Sequence, residues 1–224
     1  MKPPTLNTTT SKLISSLVKH YIDNQSEFKH LLSILFSLVE NSQELKTLTH
    51  SVKGRIKDPE HLREKLIRKG VEAKIEGKAF PYTKANLFQE VNDLVGLRIL
   101  HLHTTQIEAI NRELRESFKQ QSWILRESSA RTWDDESSNY FARIGITTEK
   151  SDTMYTSVHY VVQANSRATP TCEIQVRTLM EEVWGEVDHQ INYPQKSNSS
   201  SCRVQIKVLA RATSTCSRLA DSIF

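Results

Sequence analysis

Apolar residues recur at helical spacing near the start of the chain. Between Ser11 and about Leu48 they form one stripe, which consists of Leu13, Leu17, Tyr21, Phe28, Leu31, Leu32, Leu35, Leu38 and Val39. This pattern predicts one long helix, or two helices with a break near Asp23–Gln25. Residues 1–10 are rich in Pro, Thr and Asn and are expected to fray. We expect the stripe to pack onto the rest of the protein; self-association into a homo-oligomer is the alternative.

Helical and extended patterns alternate through the middle of the chain. Asp58 can cap a helix that continues to about Arg68, since Pro59 suits its first turn. The polar, Gly-containing stretch KGVEAKIEGKAFPYTK is expected to form a loop. Three further elements are expected: a short helix from Ala85 to Val91, a strand over LVGLRILHL, and an amphipathic helix from Gln106 to Phe118.

The pattern is weak over residues 123–154 and becomes clear again after them. RESSARTWDDESSN has few apolar anchors and predicts a mobile loop, with a weaker segment at Tyr140 to Ile146. YTSVHYVVQA and TCEIQV predict two antiparallel strands joined by NSRATP. The next helix should run from Thr178 to Ile191, with Leu179, Val183, Trp184 and Val187 facing inward. After the linker PQKSNSSS, the last helix should run from Cys202 to Phe224, with the apolar residues Val204, Ile206, Val208, Leu209, Leu219 and Ile223. This order of elements predicts an α+β domain.

Composition narrows the class of protein without identifying a function. Of the 224 residues, 38% are hydrophobic and 25% are charged, which is typical of one globular domain. There is no apolar run of about 18 residues and no signal sequence, so we expect a cytoplasmic protein with no membrane contact. The three cysteines, Cys172, Cys202 and Cys216, lack the spacing of a metal site. The net charge of +4 permits phosphate ligands but does not require nucleic acid.

Two carboxylates occur at the edges of apolar strands, Asp93 in NDLVGLRIL and Glu173 in CEIQVRT. Burying a carboxylate is costly unless it is paired, hydrogen-bonded or coordinated to a cation. The two residues together therefore suggest a site for a hard metal ion such as Mg²⁺. The alternative is that each side chain faces solvent on a half-buried strand.

Basic and aromatic residues add candidate ligand contacts. In an extended SVKGRIK segment, Lys53, Arg55 and Lys57 would share one face, which suits a polyphosphate, although a solvated basic edge strand is as common. In YTSVHY, the strand period of two places Tyr155 and His159 on one face. The sequence has no GxxxxGK[ST] motif, no GxGxxG after a strand and no arrangement typical of a nucleophilic triad.

The order of these motifs resembles the synthetase domain of the RelA/SpoT alarmone synthetase family. The motifs are GRIK, NDLVGLRI, YTSVHY and CEIQVRT, followed by a helix with Trp, His and Tyr. The resemblance divides the chain into a helical segment over 11–50, a synthetase core over 51–195 and a C-terminal helix over 196–224. It implies a nucleotidyltransferase-like mixed sheet flanked by helices. It also implies a GTP diphosphokinase, which moves the pyrophosphate of ATP to the 3′-hydroxyl of GDP or GTP to make (p)ppGpp.

The resemblance assigns the metal and the donor nucleotide to one set of side chains. Asp93 resembles the Mg²⁺ ligand, and Glu173 the second carboxylate, which helps to hold the metal or accepts the 3′-hydroxyl proton. The ATP-binding set is Arg55 and Arg98, on either side of adenine, with Lys57 and Lys65 toward the phosphates. Such a transfer depends on in-line positioning, Mg²⁺ and cations more than on covalent chemistry.

The acceptor side is assigned in the same way. Tyr155 resembles the tyrosine that stacks on guanine, and His159 the histidine near the acceptor phosphates. The complete acceptor set is Lys150, Tyr155, His159, Gln175 and Arg177. The sequence departs from the family here, because Met154 stands where a Gly usually precedes the tyrosine, and Ser151 stands at the usual Lys of a Pro-Lys pair.

Three functions follow from these observations. The first is the pyrophosphokinase with ATP and GDP or GTP as substrates. The second keeps the donor site but pyrophosphorylates the 3′ end of tRNA, as toxic members of the family do; the acceptor-side departures motivate it. The third is a regulatory module that binds nucleotide or RNA without turnover. Because no HD-type hydrolase pattern precedes Lys53, a member with a synthetase domain alone is expected.

Overall fold

The computed structural model describes residues 6–164, 170–192 and 199–224. Its helices are α1 (Thr8–Asp23), α2 (Gln25–Asn41), α3 (Gln43–Leu48), α4 (Pro59–Ile75), α5 (Leu87–Glu90), α6 (Gln106–Gln120), α7 (Asp135–Arg143), α8 (Leu179–Asn192) and α9 (Ser200–Ile223). Its strands are β1 (Ser51–Ile56), β2 (Val95–His101), β3 (Ile124–Thr132), β4 (Thr147–Lys150), β5 (Ser157–Gln163) and β6 (Thr171–Thr178). The predicted NSRATP connection and PQKSNSSS linker lie largely outside the described residues, as does the first half of the segment expected to fray. None of the described helices is long and apolar enough to cross a membrane.

The strands form one mixed sheet in the order β1-β2-β6-β5-β3-β4. β2 is parallel to β6 and β3 is parallel to β4, whereas the other neighbours are antiparallel. Every residue of β5 is buried, including the polar residues Ser157, His159 and Gln163. The predicted α+β class with a mixed sheet is confirmed, and so is the antiparallel pairing of the YTSVHYVVQA and TCEIQV segments.

The three N-terminal helices pack onto the domain through their apolar stripe. α1 contacts α4, and α2 contacts β1 and β2. The predicted break near Asp23–Gln25 is present at Asn24. A second break follows at Ser42, whose hydroxyl accepts a hydrogen bond from the backbone N–H of Leu45 at 3.1 Å. Because α1 begins at Thr8, the expectation of fraying up to residue 10 is wrong for the last residues of that segment.

Helix α4 is longer than the sequence pattern indicated. Asp58 caps it as predicted, because its side chain accepts hydrogen bonds from two backbone N–H groups of the first turn at 2.8 and 3.2 Å. The helix continues to Ile75, so the prediction of a loop from residue 69 is wrong for that part. Gly70 lies inside the helix and does not end it. At this position the helix packs closely against Leu6, because an added Cβ would lie 3.1 Å from Cδ2 of Leu6.

The region over residues 123–154 is not the loop that its sequence predicted, but contains β3, α7 and β4. The polar sequence ILRESSART hid β3, because small side chains such as Ala130 and Thr132 fill its buried positions. Phe141 and Ile146 supply the apolar anchors of the segment that follows. This segment overlaps the predicted weaker element at Tyr140 to Ile146.

Helices α8 and α9 pack on each other at one side of the sheet. Trp184 is buried against Ile206 and Ala210 and donates through Nε1 to the carbonyl oxygen of Ile206 at 3.1 Å. Val183 was expected to face inward but is 52% exposed, because α8 turns Glu182 toward the cations of the sheet instead. The buried face of α9 consists of Ile206, Ala210, Thr213 and Ser217. Four of the apolar residues noted in its sequence are exposed: Val204, Val208, Leu219 and Ile223.

Candidate active site

A cleft of about 660 Å³ opens between the sheet and α8. β1, β2 and β6 form its floor, α8 forms one wall, and the segment before β5 contributes Thr153 and Tyr155. Most of the side chains that line it are polar or charged. Such a cleft suits a polar ligand much larger than a metal ion.

The strand register arranges the predicted residues in two rows across the floor of the cleft. One row is Arg55, Gly96 and Glu173, and the other is Lys53, Arg98 and Gln175. Residues paired across neighbouring strands point to the same face. Gly96 has no side chain, and Arg55 lies over it, with Cγ and Nε 3.7 Å from the position that a Cβ would take. The lack of a side chain at Gly96 therefore leaves room for the Arg55 side chain to lie across the floor toward Glu173.

Both carboxylate oxygens of Glu173 are hydrogen-bonded. His159 Nδ1 donates to Oε1 at 2.8 Å, and Gln175 Nε2 donates to Oε2 at 2.9 Å. Burial would raise the pKa of Glu173, but the hydrogen bond and electrostatic interaction with His159 and the hydrogen bond from Gln175 outweigh it and lower the pKa. Glu173 is therefore an ionised carboxylate, and 17% of its side chain remains exposed toward the cleft.

Asp93 belongs to a second cluster, just before β2. Lys57 Nζ donates to Oδ2 at 2.7 Å and Lys65 Nζ to Oδ1 at 2.8 Å. Burial would raise the pKa of Asp93, but the two ammonium groups outweigh it and lower the pKa to about 2. Its charge also acts on Glu173, so the two carboxylates are electrostatic neighbours. In the described parts of the chain no three His, Cys, Asp or Glu residues gather to hold a metal ion, and an ion at these carboxylates would need further oxygens from a ligand or water.

An acidic residue that the sequence analysis did not single out, Glu182, connects the cations of the cleft. Its Oε1 accepts from Lys53 Nζ at 2.8 Å and from Arg98 Nη1 at 2.9 Å, and its Oε2 contacts Nη2 of Arg177. Arg98 Nη1 also donates to Oε1 of Glu186 at 2.9 Å. Burial would raise the pKa of Glu182, but the hydrogen bond from Lys53 and the two arginine charges lower it. Glu182 is therefore ionised although it is almost fully buried.

Tyr155 lies between the charged network and a small apolar cluster. The centroid of its ring is 5.7 Å from Cζ of Arg177 and 6.3 Å from the ring centroid of Trp184. Met154, the residue in place of the family's usual Gly, packs against the cluster around Trp184 in the layer between α8 and α9. The bulky side chain is thus accommodated without joining the lining of the cleft.

The structure brings most of the predicted site residues together. The predicted residues that line the cleft are Arg55, Arg98, Tyr155, Glu173, Gln175 and Arg177. Lys57 and Lys65 lie in the neighbouring Asp93 cluster. His159 is only 4% exposed and holds the catalytic candidate on the floor rather than facing the cleft. Lys150 is exposed on β4, at the edge of the sheet opposite to β1, and is not part of the lining.

A second, small cavity of about 30 Å³ lies on the far side of Arg177 and is lined in part by Glu181. Burial raises the pKa of Glu181 to about 8; the charge of Asp134 adds to this effect and that of Arg177 opposes it. Arg218 Nη2 donates to Oδ1 of Asp134 at 2.6 Å and compensates part of that negative charge. Glu181 is therefore largely protonated at neutral pH in the folded protein.

This raised pKa predicts a pH-dependent stability. The unfolded chain ionises Glu181 near the usual pKa of 4.5, whereas the folded protein keeps the proton up to a pKa of about 8. The contribution of Glu181 to stability is thus complete at acidic pH and is lost as the pH rises to 8. The free energy of unfolding of the wild type should therefore decrease between roughly pH 5 and pH 8. Glu181→Gln cannot ionise at this position, so its free energy of unfolding should decrease by less, and the two decreases should differ by at least about 1 kcal/mol. Urea denaturation measures both changes, and equal changes would contradict the burial effect.

Fold and cleft together define an α+β protein with a charged cleft, whose floor carries an ionised carboxylate among arginines. The chain belongs to the RelA/SpoT family, because the family model described as a region found in RelA / SpoT proteins matches residues 54–198. A comparison with curated proteins finds no match.

Solved structures show the same fold at low sequence identity. A GTP pyrophosphokinase family protein from Streptococcus pneumoniae has a TM-score of 0.65 at 20% identity, over 93% of this chain and 91% of its own. The small alarmone synthetase 1 from Bacillus subtilis, bound to its product pppGpp, has a TM-score of 0.57 at 21% identity, over 89% of this chain and 90% of its own. The same protein bound to AMPCPP has a TM-score of 0.54 at 18% identity, over 91% of this chain and 92% of its own.

Proposed function

We propose that the protein is a pyrophosphokinase that transfers the β,γ-pyrophosphate of ATP to the 3′-hydroxyl of GDP or GTP and releases AMP. The observation that carries the proposal is the position of Glu173, an ionised carboxylate on a cleft floor that also presents Arg55, Arg98 and Arg177. Membership of the RelA/SpoT family and the likeness to a synthetase bound to pppGpp support this choice of substrates.

The donor nucleotide would occupy the part of the cleft formed by β1 and β2. Arg55 and Arg98 line it, and a guanidinium group can stack on a base while it retains its charge. Lys57 and Lys65 lie close by as cations for the phosphates. Because Arg98 is already held by two carboxylates, less side-chain entropy is lost when the base binds.

The acceptor nucleotide would stack its guanine on Tyr155 and place its 3′-hydroxyl near Glu173. The hydroxyl oxygen attacks the β-phosphorus of ATP, Glu173 accepts the hydroxyl proton, and the bond from the β-phosphorus to the oxygen on the α-phosphorus breaks to release AMP. His159 and Gln175 orient the carboxylate for this transfer by holding one oxygen each. The protein therefore contributes positioning and a proton acceptor rather than a covalent intermediate.

Asp93 and Glu173 are the residues that would hold Mg²⁺. Two carboxylates fit an ion that shares its coordination with nucleotide phosphates and water, which is the usual arrangement for Mg²⁺ in phosphoryl transfer. Lys57 and Lys65 hold the pKa of Asp93 at about 2, so this carboxylate is ionised at neutral pH. When bound, Mg²⁺ would neutralise charge on the pyrophosphate that is being transferred.

Incubation of the protein with Mg²⁺, ATP and either GDP or GTP tests the proposal. AMP and the guanosine 3′-pyrophosphate should form in equal amounts, and anion-exchange chromatography separates them. Absence of AMP with either guanosine acceptor would reject the proposal. Transfer to the 3′ end of tRNA but to neither guanosine nucleotide would favour the tRNA alternative instead.

A further inference from the structure

The carboxylate of Glu182 lies between the two halves of the cleft. On the donor side it accepts hydrogen bonds from Arg98 and Lys53, and on the acceptor side it pairs with Arg177. The side chain of Glu182 is 6% exposed and that of Arg177 is 3% exposed, so solvent screens this pair very little. One buried carboxylate thus holds the guanidinium groups of two arginines, which are assigned to different substrates in the proposed function.

Arg177 connects Glu182 with Tyr155 on the acceptor side. Its Cζ lies 5.7 Å from the ring centroid of Tyr155, the residue proposed to stack on guanine. On its other side it packs against Gly185, where a Cβ would lie 2.6 Å from Nη1. Among the described residues, Nε of Arg177 has no hydrogen-bond partner. The orientation of the guanidinium group therefore depends on the Glu182 carboxylate and on packing.

We propose that Glu182 is a positioning residue for both substrates: it orients Arg98 toward the ATP base and Arg177 behind Tyr155 before either nucleotide binds. A guanidinium group is planar, so a shared carboxylate sets the planes of both arginines relative to each other. Without that carboxylate, Lys53, Arg98 and Arg177 would repel one another and move apart. This inference rests on the proposed function, because it assigns the two arginines to the donor and the acceptor.

Glu186 offers a matched control one helical turn further along α8. Among the described residues it pairs with Arg98 alone, at 2.9 Å from Nη1, and its side chain is 51% exposed. Glu186→Gln removes the same charge from the same helix but leaves the pairing of Arg177 with Glu182 intact. It should therefore change the donor side and spare the acceptor side.

Separate titrations with α,β-methylene-ATP and with GDP test the proposal on the full chain. Glu182→Gln should raise the Kd of each nucleotide about tenfold or more, because a buried charge partner is lost. Glu186→Gln should raise the Kd of the ATP analogue about two- to fivefold and leave that of GDP within about twofold. Thermal melts confirm that each variant is folded. A Glu182→Gln variant that changes only one Kd, or neither, would overturn the proposal.

Arg177→Lys keeps the inference testable if Glu182→Gln does not fold. It retains a positive charge beside Glu182 but removes the planar group next to Tyr155, so it should weaken GDP binding and leave the ATP analogue within about twofold. Equal weakening of both nucleotides, or unchanged GDP binding, would contradict the proposed route. A wild-type protein that binds neither nucleotide contradicts the proposed function itself, whereas failure of this inference alone requires a wild type that binds both.

Discussion

Replacing Glu173 with Gln is expected to lower the rate of AMP release by about 10²- to 10⁴-fold, the usual contribution of a general base. Gln has nearly the same shape and keeps an oxygen that can accept from His159, but it cannot take up the 3′-hydroxyl proton. Affinity for α,β-methylene-ATP measured without Mg²⁺ should therefore stay within a few-fold of the wild type. Steady-state assays of AMP release and titration of the analogue measure the two effects separately.

Glu149→Gln is the matched control for this variant. Glu149 lies on β4, is 52% exposed and pairs with Arg131 at 3.3 Å between Oε2 and Nε. The same chemical change there should leave the rate within about twofold of the wild type, because an exposed ion pair contributes little. A Glu173→Gln variant that retains its rate would show that another group accepts the proton. A parallel loss of rate and of the affinity measured without Mg²⁺ would indicate that Glu173 contacts the nucleotide directly instead of accepting the proton.

Asp93→Asn is expected to impair both activity and stability. The substitution leaves the Lys57 and Lys65 ammonium groups together without their shared anion, and their side chains are only 12% and 24% exposed. We expect a loss of about 1–3 kcal/mol in the free energy of unfolding, less than for a fully buried pair because the cluster is partly exposed. The rate should fall by at least about 10²-fold, and half-maximal activity should require more Mg²⁺.

Asp23→Asn provides the comparison for the stability measurement. Asp23 pairs with Lys19 on the surface of α1 at 3.0 Å between Oδ2 and Nζ, with its side chain 53% exposed. Its loss should change the free energy of unfolding by less than about 0.5 kcal/mol. Urea denaturation and a Mg²⁺ titration of the rate distinguish the two variants. If Asp93→Asn kept the wild-type rate and Mg²⁺ requirement, Asp93 would not hold the ion.

The sequence revealed the elements in which large apolar side chains alternate with polar ones. Ile174 and Val176 are fully buried, whereas Glu173 and Gln175, which alternate with them, face the cleft, as the strand period of two predicts. The cap of α4 at Asp58 was likewise visible, because a cap depends on residues that are close in sequence. Local patterns therefore sufficed for the floor of the cleft and for the helix beside it.

The role of Glu182 could not be predicted from the sequence, because its contacts involve residues far apart in the chain. Glu182 is buried because it meets Lys53, which is 129 residues away, and no local pattern shows this partner. One signal was present, since Glu182, Gly185, Glu186 and His189 recur at the spacing of one helical face. The strand β3 was not predicted for a different reason: small and polar side chains fill its buried positions. Lys150 was assigned to the acceptor site because it lies shortly before Tyr155 in the sequence, as a lysine does in the family that the chain resembles. In the structure it lies on β4 at the edge of the sheet and does not line the cleft.

The fate of the β-phosphate of ATP shows which group the protein transfers. The protein is incubated with Mg²⁺, GTP and ATP that carries ³²P at the β-position, and the products are separated by chromatography. Transfer of an intact pyrophosphate predicts that the label appears in the guanosine nucleotide and that all AMP is unlabelled. Label that remains in ADP would show transfer of the γ-phosphate alone. Label that appears in free pyrophosphate would show hydrolysis, and either result would contradict pyrophosphoryl transfer to the guanosine nucleotide.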